Sequence, residues 1–68
     1  MSAMTLKVNG AEREVPDGTT IEGLLTIHQL TPDRVAVEVK RRLVRTADYS
    51  RVLKGGDEIE IVTFVGGG

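Results

Sequence analysis

Met4-Thr5-Leu6-Lys7-Val8-Asn9-Gly10-Ala11-Glu12-Arg13-Glu14-Val15 reads as two half-buried strands joined by a tight turn. Met4, Leu6 and Val8 alternate with Thr5, Lys7 and Asn9, the period of two that sets one side of a strand on a core. Asn9-Gly10 is the strongest short signal for a two-residue hairpin loop, because both turn positions need positive φ. Parity agrees with that loop length. Pairing Val8 with Ala11 places Ala11, Arg13 and Val15 on the core side, whereas a slip of one residue would point Glu12 and Glu14 inward. Arg13 fits by laying its aliphatic stem on apolar surface while its guanidinium reaches water.

Downstream of the hairpin, Pro16-Asp17-Gly18 breaks the strand, and Thr19 with Glu22 three residues later forms a capping-box pattern that starts a helix. Ile21, Leu24 and Leu25 share one helical face, with His28 a turn beyond, and Leu30 can close the layer after the helix ends near Thr31-Pro32. Gly23 costs this short helix about 1 kcal/mol relative to alanine, so the helix depends on a sheet beneath it. His28 stands alone, with no cysteine and no second histidine, and packing or a place on the rim suits it better than catalysis or metal binding. Val35, Val37 and Val39 alternate with Ala36, Glu38 and Lys40 as a further strand, and Leu43-Val44 returns as a short one. Lys40-Arg41-Arg42 lacks the glycine or asparagine of a tight primed turn, which predicts a longer or bulged loop. Residues 47–53 predict a helical turn or 3₁₀ piece with Tyr49, Val52 and Leu53 available to the core, before Gly55-Gly56-Asp57 turns into the last strand.

That last strand holds two patterns. Ile59, Ile61, Thr63 and Val65 lie on one side, and Glu58, Glu60, Val62 and Phe64 on the other, which begins charged and ends apolar. Either a bulge turns the strand, or Val62 and Phe64 form a solvent-facing patch for docking a partner. Beyond it come Gly66, Gly67 and Gly68. Such a tail packs poorly and is costly to order, but it can pass through a slit too narrow for side chains and leaves a terminal carbonyl open to attack. A frayed terminus or a cloning remnant is the plainer reading of the glycines alone. Met1-Ser2-Ala3 reads as a leader outside the fold, which gives residues 1–3 as an extension, 4–65 as the domain and 66–68 as a flexible tail.

A chain of 68 residues is one domain near the size at which a core alone gives marginal stability, with room for one sheet and one helix. The fold class is therefore α+β, a mixed sheet of four to five strands with one main helix across it. The absence of cysteine excludes disulfides, cysteine-ligated zinc and a side-chain thiol nucleophile. No apolar run is long enough to span a membrane, so a cytoplasmic protein is expected. Net charge is −1, yet residues 34–54 hold seven Lys and Arg against two acids, and the remainder two against eight. That split describes a basic face able to steer an acidic partner, or ordinary solvated strand edges on which basic residues discourage pairing.

The ordered set Leu6-Lys7-Val8-Asn9-Gly10, Val15 to Ile21 with Leu24-Leu25, Val35 to Val39, Leu53 to Asp57 and Ile61 to Gly68 resembles the ubiquitin-like β-grasp sulfur carriers, in particular those of thiamine biosynthesis. Such carriers commonly have Asn-Gly where this chain has Lys40-Arg41, and leucine where it has His28. The resemblance implies that Gly68 is the modified residue, that Gly66 and Gly67 thread into partners, and that the chain is a co-substrate with no catalytic residue and no metal. It implies an adenylating enzyme using ATP and magnesium, a persulfide donor such as a cysteine desulfurase, and thiazole synthase as the acceptor, with no nucleic acid or membrane partner. The alternatives are the small subunit of molybdopterin synthase, a ubiquitin-like protein modifier, and a β-grasp RNA-binding module. The last is poorly served by one phenylalanine and one tyrosine.

Overall fold

The computed structural model describes residues 2–64, so Met1, the domain end at Val65 and the glycines Gly66, Gly67 and Gly68 lie outside the described residues. The order is β1 (Ala3–Val8), β2 (Ala11–Pro16), α1 (Ile21–Ile27), a 3₁₀ turn (Pro32–Arg34), β3 (Val35–Val39), β4 (Arg42–Val44), a second 3₁₀ turn (Thr46–Asp48) and β5 (Glu58–Thr63). The five strands form one mixed sheet in the order β2-β1-β5-β3-β4. β1 and β5 run parallel, and the other neighbours antiparallel.

The hairpin register is the one that parity requires, with Val8 opposite Ala11 and Met4 opposite Val15. Asn9 and Gly10 both take positive φ, +50° and +83°. Leu6, Val8, Val15, Ile59, Ile61 and the three valines of β3 fill the inner side of the sheet, where Ile21, Leu24 and Leu25 of α1 cover them. Full burial of each such side chain contributes about 1.5–3 kcal/mol. Ala11 and Arg13, on the core side by parity, are exposed on edge strand β2.

Several boundaries differ from the sequence expectation. Ala3 belongs to β1, opposite Pro16, and the Ser2 carbonyl accepts from Asp17 N–H, so part of the assigned leader is paired in the sheet. The helix is capped by Thr20, whose hydroxyl accepts from Gly23 N–H at 3.0 Å. Thr19 is unavailable for that role: its hydroxyl donates to the Pro16 carbonyl at 2.6 Å. A Cβ at position 23 would sit 3.3 Å from the Thr20 hydroxyl oxygen, so the glycine leaves room for the cap. The helix stops at Ile27 rather than near Thr31, because Gln29 takes φ +61°. Leu30 N–H then bonds the Leu25 carbonyl and Gln29 N–H the Thr26 carbonyl, the Schellman pattern. His28 is the half-buried C-cap residue of this helix.

Lys40 and Arg41 form a two-residue turn rather than a longer loop, with Val39 opposite Arg42 and φ of +53° and +67°. Tertiary ties override the local preference. Lys40 N–H donates to the Glu58 carbonyl at 2.8 Å, and its ammonium lies 3.7 Å from the carboxylate of buried Asp57. Asp57 also accepts from Lys54 N–H at 2.9 Å, closing the Gly55-Gly56 turn. Of the residues expected in the core after β4, Tyr49 and Leu53 are buried and Val52 is exposed. Residues 51–53 lie extended beside the start of α1, with Leu53 N–H on the Thr19 carbonyl and the Arg51 carbonyl on Ile21 N–H. Extended alternation then turns Leu53 inward and Val52 out.

Candidate functional site

The two ends of β5 are built differently, and the C-terminal end is the candidate site. Its pairing with β3 is unbroken from Val39 opposite Ile59 to Val35 opposite Thr63. Phe64 N–H extends the ladder by one bond, donating to the Arg34 carbonyl at 2.9 Å. An unbroken register contains no bulge. The two patterns of the strand therefore resolve into a buried side with Ile59 and Ile61, and an outer side on which Val62 is 55% exposed; Phe64, one residue past the strand, is 57% exposed. Across β3, Val62 has Ala36 as its neighbour and Glu60 has Glu38, so the outer surface changes from acidic to apolar as the chain approaches residue 65.

On its other side β5 meets β1 over a short parallel stretch, Lys7 opposite Glu58 and Val8 opposite Ile59. The hairpin turn at Asn9 would leave Ile61 without a partner on that side. The Asn9 side chain supplies one: its Oδ1 accepts from Ile61 N–H at 2.7 Å and its Nδ2 donates to the Ile61 carbonyl at 3.1 Å. Asn9 N–H also donates to the Ile59 carbonyl at 2.9 Å. One asparagine thus makes the left-handed turn and continues the ladder with its amide. The sequence marked Asn9 as a turn residue, but its second role is set by a strand 52 positions away, which local pattern does not show.

The site expected from sequence was Val62, Phe64, Gly66, Gly67 and Gly68. The structure places Val62 and Phe64 exposed at the end of an anchored strand, and the glycines lie outside the described residues. Among the described residues no group of three or more His, Cys, Asp or Glu is placed to hold a metal ion. Among the described residues no helix is long and apolar enough to cross a membrane.

Comparison with known proteins gives the following. Two curated relatives bear the name thiazole synthase, one from Magnetococcus marinus at 41% identity and one from Paramagnetospirillum magneticum at 39%, each over 66 residues. The alignment covers 96% of this chain and 20% of each relative, so the chain spans about a fifth of their length. The crystal structure of the thiamine biosynthesis protein ThiS from Geobacter metallireducens matches with a TM-score of 0.76 at 28% identity, covering 96% of this chain and 100% of that one. The five-stranded mixed sheet with one helix is thus the β-grasp fold of that protein. The ThiS family model matches residues 6–68, from the middle of β1 through the last glycine, and the chain belongs to the ThiS family.

Proposed function

We propose that this chain is a sulfur carrier of thiamine biosynthesis, and that the Gly68 carboxylate is the group that carries the sulfur. The observation that carries the reading is the family match, which runs through Gly66, Gly67 and Gly68 to residue 68. A terminal carboxyl with an ordinary pKa of about 3.5 is ionised at neutral pH and a poor electrophile, so it needs activation before sulfur can enter. In the proposed sequence, an adenylating enzyme uses ATP and magnesium to join the carboxylate to AMP, releasing pyrophosphate. The terminal sulfur of a donor persulfide, supplied by a protein such as a cysteine desulfurase, then displaces AMP. A thiol releases the resulting acyl disulfide as the thiocarboxylate. This chain has no cysteine, so every thiol in the sequence belongs to a partner, and the carrier is a co-substrate rather than an enzyme.

Thiazole synthase is the proposed acceptor. A stretch similar to this chain is built into two proteins of that name, which fits a carrier and a synthase that work together. Val62 and Phe64 are the proposed grip, since a partner holding the end of β5 lies one residue from the tail that Gly66 and Gly67 would thread into its active site. A cytoplasmic location, where ATP and reduced thiols are available, is part of the same proposal.

The test is to supply the purified protein with ATP, magnesium, an activating enzyme and a persulfide donor. Intact mass should show one oxygen replaced by one sulfur, and fragmentation should locate it in the peptide ending at Gly68. Sulfur found elsewhere, or incorporated equally by a variant lacking Gly68, overturns the reading.

A further inference from the structure

The sheet has two open edges, and the one at β4 is basic. Of the seven Lys and Arg between residues 34 and 54, only Lys40 is ion-paired among the described residues. Arg42, Arg45 and Arg51 are exposed and hold no carboxylate of the described residues within 4.0 Å. Their charge is not spent on the fold. Leu43, between Arg42 and Val44, is 68% exposed, the highest value among the exposed large hydrophobic residues.

Backbone geometry adds a third feature. In a two-residue hairpin the residues flanking the turn, here Val39 and Arg42, exchange both hydrogen bonds, and along an antiparallel pair such positions alternate. Leu43, opposite Glu38, is the intervening position, so its N–H and C=O point away from β3 to the open edge. No other backbone group of the described residues bonds them. Below this edge a groove of about 330 Å³ is lined by Arg42, Leu43, Val44, Asp48, Ser50 and Arg51.

We propose that this edge and groove bind an extended acidic segment of a partner protein, with an acid-apolar-acid pattern. The side-by-side donor and acceptor of Leu43 are satisfied together by the backbone of one added residue, which a simple anion cannot do because it has no N–H to give. A residue opposite Leu43 points its side chain to the same side of the sheet and should be apolar. Its two neighbours point to the other side, toward Arg42 and Arg51, and should be carboxylates. Asp48 in the groove opposes them, so the attraction is the excess of the arginines over it. The surface is separate from the end of β5, with β3 between them, and the proposal does not depend on the chemistry of the tail.

The probe is an N-acetylated, C-amidated Glu-Val-Glu-Val-Glu peptide titrated into the ¹⁵N-labelled full chain and followed by amide shifts. Saturable shifts are expected at Arg42, Leu43, Val44 and Arg51, and none with the Lys-Val-Lys-Val-Lys peptide. Arg51→Glu should weaken binding at least about threefold and Asp48→Asn should tighten it, opposite signs that a general loosening of the fold would not give. Three results overturn the proposal. One is the absence of saturation, or equal shifts from a pentaglutamate peptide. Another is a response centred on Val62 and Phe64. The third is a concentration-dependent shift of the same amides without peptide, which would give the edge to the acidic β2 strand of a second copy.

Discussion

Replacing Asn9 tests whether one side-chain amide holds the end of β5. Asn9→Gly keeps the left-handed turn and deletes the two bonds to Ile61 at 2.7 and 3.1 Å. At about 0.5–1.5 kcal/mol net for each, their loss costs about 1–3 kcal/mol. The added flexibility of the unfolded chain costs about 0.4–1 kcal/mol more. Asn9→Ala deletes the same bonds and replaces the entropy cost with that of a non-glycine residue at φ +50°, about 1–2 kcal/mol. Asn9→Gly should therefore lose about 1.4–4 kcal/mol and Asn9→Ala about 2–5 kcal/mol, a large part of the roughly 3–5 kcal/mol that a core of this size supplies. The assay is urea denaturation at low temperature with linear extrapolation, accompanied by hydrogen exchange. The Ile61 amide, whose acceptor is the Asn9 side chain, should lose protection before the β3 amides do. A loss below about 1 kcal/mol in both variants, with Ile61 still protected, would refute the reasoning.

Other outcomes follow from the same structure. Leu25 is fully buried, and Leu25→Ala should lower stability by about 2–5 kcal/mol, seen as a shift of the denaturation midpoint. Phe64→Ala should leave the fold intact and weaken binding to the activating enzyme by about 1–3 kcal/mol. Deleting Gly67 and Gly68 should leave that binding largely in place and abolish pyrophosphate release; the pair of variants is compared by titration and by a pyrophosphate assay. The double change Lys40→Asn, Arg41→Gly removes two left-handed costs of about 1–2 kcal/mol each, against about 0.4–1 kcal/mol for the flexibility that the new glycine adds to the unfolded chain and about 0–1 kcal/mol for an ion pair whose lysine is 66% exposed. Its thermal midpoint should rise.

The hairpin was legible because two independent signals, the Asn-Gly dipeptide and the alternation on either side of it, demand the same register. Ile21, Leu24 and Leu25 were legible for a similar reason, as helical spacing admits one buried face. The cap was misplaced because Thr19 and Thr20 are equivalent as sequence, and only the Pro16 carbonyl decides between them. The Lys40-Arg41 turn ran against local preference because its geometry is fixed by Glu58 and Asp57, both remote in sequence. Val52 was assigned to the core from its hydrophobicity, while the bridge to Thr20 that turns it outward joins segments 32 positions apart. At the candidate site, the sequence posed the choice between a bulge and an exposed patch but did not contain the answer. The register with β3 supplied it.

β5 is the central strand: β3 flanks it to its last residue, and on the other side β1 reaches Ile59 and the Asn9 amide reaches Ile61. A force applied to Thr63 and Phe64 along the strand axis loads the strand lengthwise. The bonds to β3, the short parallel ladder to β1 and the Asn9 amide then bear load in shear, all at once. An edge strand such as β4, pulled outward, would open one bond at a time. Traction on Thr63 and Phe64 is thus shared among these bonds, and under the proposed function a partner drawing on the chain beyond them would meet a mechanically firm handle rather than unravel the body.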